Sequence, residues 1–268
     1  MSRRAMRFCS LGSGSAGNAT LVEAQTGTTT SRVLIDCGFS LRELQTRLAR
    51  IGLACDDLDA AFITHEHGDH VGCALTLAQR HAVPLWMSRG TWRAIGRPVL
   101  PPGLLEFARD GQAIAIGDLQ LLPYTVTHDA LEPLQLRLSD GARHLGVLTD
   151  TGSITQHLIA SLQRCDALLL ECNHDRDMLA QSGYPASLKA RIGGRLGHLA
   201  NDTSAQILAA CLHDRLQHVV AAHLSERNNS PSLARDALVG ACGGSRDEIV
   251  VADPLLGFGW LDLDKRWA

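Results

Sequence analysis

Three histidines and a carboxylate stand close together in Thr64-His-Glu-His-Gly-Asp-His70. Imidazole and carboxylate together suit zinc, manganese or iron. His65 and His67 are two residues apart, so on an extended stretch their side chains point the same way. Asp69 and His70 follow Gly68, where the chain can turn and carry them to a second point in space. The spacing therefore suits two neighbouring metals better than one. Four more residues each close a predicted strand: Asp36 after Val33–Ile35, His128 after Leu119–Thr127, Asp150 after His144–Thr149 and His223 after His218–Ala222. Singly, a strand-terminal Asp caps a turn and a lone His packs. Beside the His-x-His-x-Asp-His string, His128, Asp150 and His223 read as ligands. Asp36 reads as a supporting group, because seven ligands already suffice.

The elements that must position these residues follow from apolar patterning. Met6–Leu11 and Ala19–Ala24 flank a Gly/Ser loop as a hairpin. Ser40-Leu-Arg-Glu43 is a capping-box match, with Leu41, Leu44, Leu48 and Ile51 at helical spacing behind it. Ala60–Thr64 is a strand running into His65, Val71–His81 a helix and Pro84–Ser88 a strand. Gln112–Ile116, Leu119–His128, Leu134–Ser139 and His144–Thr149 are strands. Strands follow at Ala167–Glu171, His218–His223 and Glu248–Ala252, with helices at Ile154–Gln163, Thr203–His213 and Ser232–Ala241. Helices early and late around mixed strands suggest two sheets with helices outside. The pattern does not fix the pairing. Gly96–Gly103 reads as a loop, so residues 1–268 read as a single domain.

The set His65-x-His67-x-Asp69-His70, His128, Asp150 and His223 resembles the metallo-β-lactamase superfamily, in order and along the whole chain. The resemblance implies an α/β (α+β) fold, a four-layer αββα sandwich of two mixed sheets with two divalent metals at one edge. It assigns His65, His67 and His128 to one metal and Asp69, His70 and His223 to the other, with Asp150 bridging. The nucleophile it implies is a metal-bound hydroxide, available near pH 7 because the metal acidifies bound water. Zinc, manganese and iron all remain open.

Further segments bear on the branch. In the phosphodiesterase branch that includes RNase Z and PhnP, a His supported by a strand-terminal Glu meets the scissile phosphate. Glu171 and His198 match that pair. An alkoxide leaving group needs a proton, which a carboxylate-oriented imidazole can supply. A helix N-terminus after His198 would also favour phosphate. The alternative is that His198 caps that helix with Asn201 and Asp202. With the loop Ser13-Gly-Ser-Ala-Gly-Asn18, Thr127-His-Asp-Ala130 and Glu132-Pro133, Glu171-Cys-Asn-His-Asp175, Gly197-His-Leu-Ala-Asn201 and His223-Leu-Ser-Glu-Arg-Asn-Asn229, the chain resembles the YycJ (WalJ) group. That resemblance implies a 5′-exonuclease-like phosphodiesterase acting on DNA, in repair. Ala200 departs from the group, where Ser is commoner, and so does Cys37, where a small residue is usual. Candidate substrate contacts are Ser13, Ser15, Asn18, His174, Ser225, Asn228 and Asn229, with Lys189 and Arg191, which form a small basic cluster with Arg195 before His198. The interval between Asp150 and His223 is too short for the extra domain of a β-CASP nuclease, and no long exosite arm of the RNase Z kind is visible.

Composition narrows the partners. The chain is 45% hydrophobic and 20% charged, with a formal net charge of −3. That argues against a protein that coats nucleic acid, though not against a local groove. A strand end or short single strand, DNA before RNA, or a small phosphodiester is the expected substrate. No apolar run is long enough to span a bilayer, and the basic Met1–Arg7 start lacks a secretory apolar core. The eight cysteines form no CxxC pair and read as buried thiols of a reducing cytoplasm. No protein partner is indicated. Three other readings remain: a cyclic-phosphate phosphodiesterase using the same residues, a thioester, lactone or lactam hydrolase that has less need of Glu171 and His198 and leaves the Arg cluster idle, and a non-enzymatic partner-binding module.

Overall fold

In the computed structural model, residues 4–243 and 248–263 are described. Lys265 and the first three residues of the basic start lie outside the described residues.

Two seven-stranded sheets face each other. The first runs β14 (Phe258–Asp262), β1 (Arg4–Gly12), β2 (Ala19–Thr26), β3 (Thr29–Ile35), β4 (Ala60–Ile63), β5 (Leu85–Met87), β6 (Leu105–Phe107). The second runs β13 (Ile249–Val251), β12 (His218–Ala222), β11 (Ala167–Glu171), β10 (His144–Leu148), β9 (Leu134–Ser139), β8 (Leu119–Thr125), β7 (Ile114–Ile116). Each sheet is antiparallel on one side and parallel on the other, changing over at β3 and at β10. The predicted hairpin is β1–β2, paired antiparallel from Arg4↔Thr26 to Gly12↔Ala19.

Successive residues of a strand face opposite sides. Ala167 and Leu169 of β11 enter the central core with Phe8, Val22, Leu121 and Leu136. Leu168 and Leu170 face outward, onto α5 (Gln156–Leu162) and α8 (Asn201–Cys211). The outer face of the first sheet is covered in the same way by α1 (Leu41–Arg50) and α3 (Ala74–His81). The result is the expected αββα sandwich. Both faces of the inner strands are buried, which is why they read as nearly unbroken apolar runs. Each Leu so buried contributes about 1.5–3 kcal/mol. No helix among the described residues is long and apolar enough to cross a membrane.

Several boundaries differ from expectation. The predicted helix 71–81 is two helices: α2 (Gly68–Val71), a break at Gly72 with φ +28°, and α3. A Cβ at Gly72 would stand 2.3 Å from Cys37 O, so the loop after β3 presses on the break. The strand predicted to reach His128 stops at Thr125, where pairing with β9 ends at Leu134. His128 therefore sits on a loop. Ser40 caps α1 by accepting from Glu43 N, but the Glu43 carboxylate is engaged by Arg47 Nε at 2.7 Å. β6, β14, α4 (Arg89–Ala94), α6 (Arg176–Gln181) and α7 (Ala186–Ile192) are too short to show a period and escape the sequence reading. α9 (Pro231–Cys242) begins at a Ser230 cap, one residue before the expected start.

Candidate metal centre

The candidate ligands gather at the carboxyl ends of the parallel strands, flanking both changeover strands, where open α/β sheets bind ligands. Asp36 follows β3, His65 follows β4, Asp150 follows β10 and His223 follows β12. Three of these leave their strands in the left-handed region: Asp36 at φ 61°, Asp150 at φ 53° and His223 at φ 55°. That conformation is costly for a non-glycine residue and is held by the surrounding structure. It turns each side chain off the strand and into the cleft between the sheets.

The donors fall into linked sets. One ligand atom from each of His65, His67 and His128 lies within 4.8 Å of the others, and the same holds for Asp69, His70 and His223. His65, His70 and Asp150 form a third such set that joins the two. The imidazoles of His65, His67 and His128 surround a common point, with ring centres 4.6, 4.9 and 4.9 Å apart.

The outer nitrogens of four rings are tied down, while of the inner ones His128 Nε2 lies 3.2 Å from His67 Nδ1 and His70 Nε2 lies 3.2 Å from Asn18 Nδ2. His70 Nδ1 donates to Asp36 Oδ2 at 2.7 Å, and His128 Nδ1 donates to Gly197 O at 3.0 Å. His65 Nδ1 lies 3.1 Å from Thr64 Oγ1, which itself donates to Asp36. His223 Nδ1 stands 3.3 Å from Glu171 Oε1. These contacts aim each Nε2 inward, the arrangement in which supporting groups orient metal-bound imidazoles. His65 Nε2, His223 Nε2 and Asp150 Oδ2 are buried without a hydrogen bond. Orphaned buried polar atoms in both donor sets fit divalent cations. Asp36 meets the cluster through Thr64 and the outer nitrogen of His70.

Charge agrees with this assignment. Burial lowers the pKa of His65 and of His128, so both are neutral and able to ligate. Burial also opposes protonation of His70 and His223, but Asp150 and its neighbouring carboxylates prevail. They raise His223 to about 9 and His70 well above its ordinary value. Burial would raise Asp69, yet hydrogen bonds from His223 and His70 hold it well below the usual carboxylate range.

Beside this cluster stands a second pair. His198 Nδ1 donates to Glu171 Oε1 at 2.7 Å and lies 3.2 Å from Asp150 Oδ1. Glu171 is fully buried, and its Oε2 accepts from Thr151 N and Leu199 N. Burial favours the neutral imidazole, but Glu171 and Asp150 raise His198 to about 10. The capping alternative for His198 fails, because Ala200 is the N-cap of α8. The first N–H of α8 is already engaged. Ala200 and Asn201 are buried, and Asn201 N donates to His174 O.

A cavity of about 400 Å³ opens over the cluster. His67, Asp69, Asp150, His198 and His223 line it, as do Ser15, Ser225 and Arg191 from the expected substrate contacts. The other expected contacts lie elsewhere. Ser13 is buried, its hydroxyl accepting from His223 N. Asn18 is buried, and its amide reaches Asp69 and His70. Asn228 is fully buried, and Asn229 donates to Cys172 O. His174 is 1% exposed, and Lys189 Nζ donates to Ala180 O. These six support the loops around the site. Sequence reading missed Asp129, whose Oδ2 accepts from Arg191 Nε at 2.7 Å, and whose Oδ1 lies 3.3 Å from His128 Nε2. Its signal is its place directly after His128. It also missed Tyr184, Leu188 and Ile192, which line the cavity.

Residues 31–223 match the family described as "Beta-lactamase superfamily domain", a span that holds every candidate ligand. The chain belongs to the metallo-β-lactamase superfamily. It is a metal-dependent hydrolase of that superfamily. It is 32% identical over 232 residues to exodeoxyribonuclease YycJ of Bacillus anthracis, covering 86% of each chain. It is 31% identical to exodeoxyribonuclease WalJ of Streptococcus pneumoniae serotype 2, covering 89% of each. The resemblance to the YycJ/WalJ group is thereby borne out. In fold it matches the metallo-β-lactamase fold protein YhfI from Bacillus subtilis, with a TM-score of 0.72 at 17% identity over 96% of this chain and 99% of that one.

Proposed function

We propose that this protein is a phosphodiesterase that removes nucleotides from the 5′ end of DNA. The observation that carries the reading is the Glu171–His198 pair, 2.7 Å apart and beside Asp150. Cleaving a phosphodiester expels an alkoxide, which needs a proton. Ester hydrolysis at an activated carbonyl has less need of one. The relatives named exodeoxyribonucleases support DNA as the substrate.

In this reading His65, His67 and His128 hold one divalent ion, Asp69, His70 and His223 hold a second, and Asp150 serves both. Zinc or manganese suits these donors, and iron also fits. When bound, the ions supply Lewis-acid charge at phosphoryl oxygens and bring the pKa of a water near neutrality. Glu171 holds the His198 ring by Nδ1, which leaves Nε2 on a cavity-lining side chain to give a proton to the leaving oxygen. Asp69 and Asp150 hold the negative charge that positions the ions. Ser15 and Ser225 offer hydroxyls to the phosphate, and Arg191 stands at the mouth.

The test is hydrolysis of 5′-phosphorylated single-stranded DNA by protein loaded with manganese or zinc, with a small phosphodiester and a thioester in parallel. Stepwise mononucleotide release, lost in His198→Ala, is the expected result. Activity confined to the small phosphodiester would replace DNA with a small-molecule substrate. Thioester cleavage alone would overturn the phosphodiesterase reading.

A further inference from the structure

The cavity has two unlike kinds of lining. One carries the ligand cluster and the Glu171–His198 pair. The other is a stripe of Tyr184, Leu188 and Ile192, from the turn before α7 and from α7 itself. Their spacing of four residues places Leu188 and Ile192 on one face of a helix, with Tyr184 one turn ahead. No residue of α7 is fully buried, so this stripe packs into no core. It lines the cavity beside charged groups, with Ile192 O accepting from His198 N at 2.8 Å. Arg191 on the same helix ties it to the metal side through Asp129.

Tyr184 is the one aromatic residue other than histidine that lines this cavity among the described residues. Its ring centre lies 5.9 Å from the guanidinium of Arg227, in the loop after His223. Among the described residues no carboxylate pairs with Arg227. A ligand that fits such a space has an anionic end for the metals and a flat apolar end for the stripe. The volume is near the lower end of small-molecule sites, ~300–1,000 Å³, enough for one nucleotide and far too small for a duplex.

We propose that Tyr184 is the stacking platform for the base of the nucleotide being released, and that Arg227 takes a phosphate beside it. The inference deepens the phosphodiesterase reading: it makes the substrate an unpaired strand end, one nucleotide of which enters the cavity. Stacking on an aromatic side chain is tolerant of sequence, because every base has a π-face. The site therefore distinguishes a nucleotide from a bare sugar phosphate, without selecting among bases. An acyl chain could lie along Leu188 and Ile192, but it would leave Arg227 idle.

Equilibrium binding to the metal-loaded protein tests this directly. The probes are deoxyadenosine 3′,5′-bisphosphate and deoxyribose 3,5-bisphosphate, which share the sugar and both phosphates, one for the metals and one for Arg227, and differ in the base. The nucleotide is expected to bind roughly 5- to 150-fold more tightly, the size of one base stack. Tyr184→Ala should bring that ratio close to one, and Tyr184→Trp should keep it. Arg227→Gln should weaken both probes alike and leave the ratio unchanged. Metal content and melting temperature of each variant establish that it is folded. An unchanged ratio in Tyr184→Ala, or no preference for the nucleotide in the parent protein, overturns the inference. If the ratio behaves as expected but no DNA strand is degraded, the exonuclease reading fails and the base subsite stands. If DNA is degraded with no base preference in binding, the subsite fails alone.

Discussion

Glu171 Oε1 stands 2.7 Å from His198 Nδ1 and 3.3 Å from His223 Nδ1. One buried carboxylate oxygen thus orients both the candidate proton donor and a candidate ligand. Burial would raise the Glu171 pKa, but the His198 charge and the hydrogen bonds from His198 and His223 bring it to about 2. It is therefore ionised whenever the protein is folded near neutrality. Proton donation and metal holding share this support, and variants can separate them.

His198→Ala removes the donor and leaves all seven candidate ligands. Loss of a positioned acid costs roughly 10²–10⁴-fold in rate. The turnover number on DNA should fall by that factor while the metal content stays that of the parent. Glu171→Gln keeps an amide oxygen for Thr151 N and Leu199 N but turns an NH₂ toward His198 Nδ1. Its turnover should fall by less, with some metal lost through His223. Single-turnover rates with parallel metal analysis decide the matter. A His198→Ala protein that sheds its metals would make His198 a ligand support, and the acid role would be lost.

Asp36 touches no cavity but fixes the ring of His70 at 2.7 Å and accepts from Thr64 N at 2.8 Å. Removing a partner of this kind lowers metal affinity about 10- to 100-fold. Asp36→Ala should show that loss in competition with a chelator. Asp36→Asn should lose less, since Asn tolerates the left-handed φ of 61° and can still accept from Thr64. Equal affinities in Asp36→Ala and the parent would remove Asp36 from the metal site.

Metal binding should release protons. In the metal-free chain His70 is raised above its ordinary 6.5, and His223 is raised to about 9. A raised histidine pKa stabilises the metal-free fold fully below the unfolded value near 6.5, and that contribution fades as pH rises to about 9. Ligation requires the neutral ring, so a cation must displace those protons. Affinity should therefore climb as pH rises toward about 9, where His223 gives up its proton. The rise in Tm on adding metal should grow over the same window. Calorimetry at pH 7 in two buffers of different ionisation enthalpy measures the released protons directly. Heats that do not depend on buffer would show that His70 and His223 are already neutral.

The candidate ligands were legible in the sequence for two physical reasons. His-x-His-x-Asp-His packs its donors into one turn, and strands buried on both faces are apolar runs whose ends are marked by the first Asp or His. His128 illustrates the limit: its identity as a candidate survives although its strand ends at Thr125, because a loop also delivers it to the cluster. Loop polarity misleads for a different reason. Asn228, Asn229 and His174 resemble substrate contacts in one dimension, but they are buried, and Asn229 satisfies the carbonyl of Cys172. A polar residue that closes a buried loop and one that faces a cavity have the same sequence signature. Tyr184 was illegible because its partners belong to α7, a seven-residue helix with no buried face to give it a period.

Close backbone approach is the last requirement of the site. Gly38, in the loop after β3, packs against α2 so tightly that a Cβ there would lie 1.7 Å from Asp69 O and 2.3 Å from Asp69 C. Asn18 N donates to the same Asp69 O at 2.8 Å, so the carbonyl is held from two sides. Neither contact is the tip of a flexible side chain, and the backbone itself must give way. Gly38→Ala should therefore displace the Asp69–His70 turn. Overpacking of this kind costs about 1–3 kcal/mol, a fall of roughly 2–10 °C in Tm for a chain of this size. Metal binding at Asp69, His70 and His223 should weaken more than at His65, His67 and His128, a set tied to this turn only through the His67 carbonyl, which accepts from His70 N and Val71 N. Stepwise metal titration of the variant should accordingly show one site weakened more than the other. Equal loss at both sites would mean that the two sets fold and fail as a single unit.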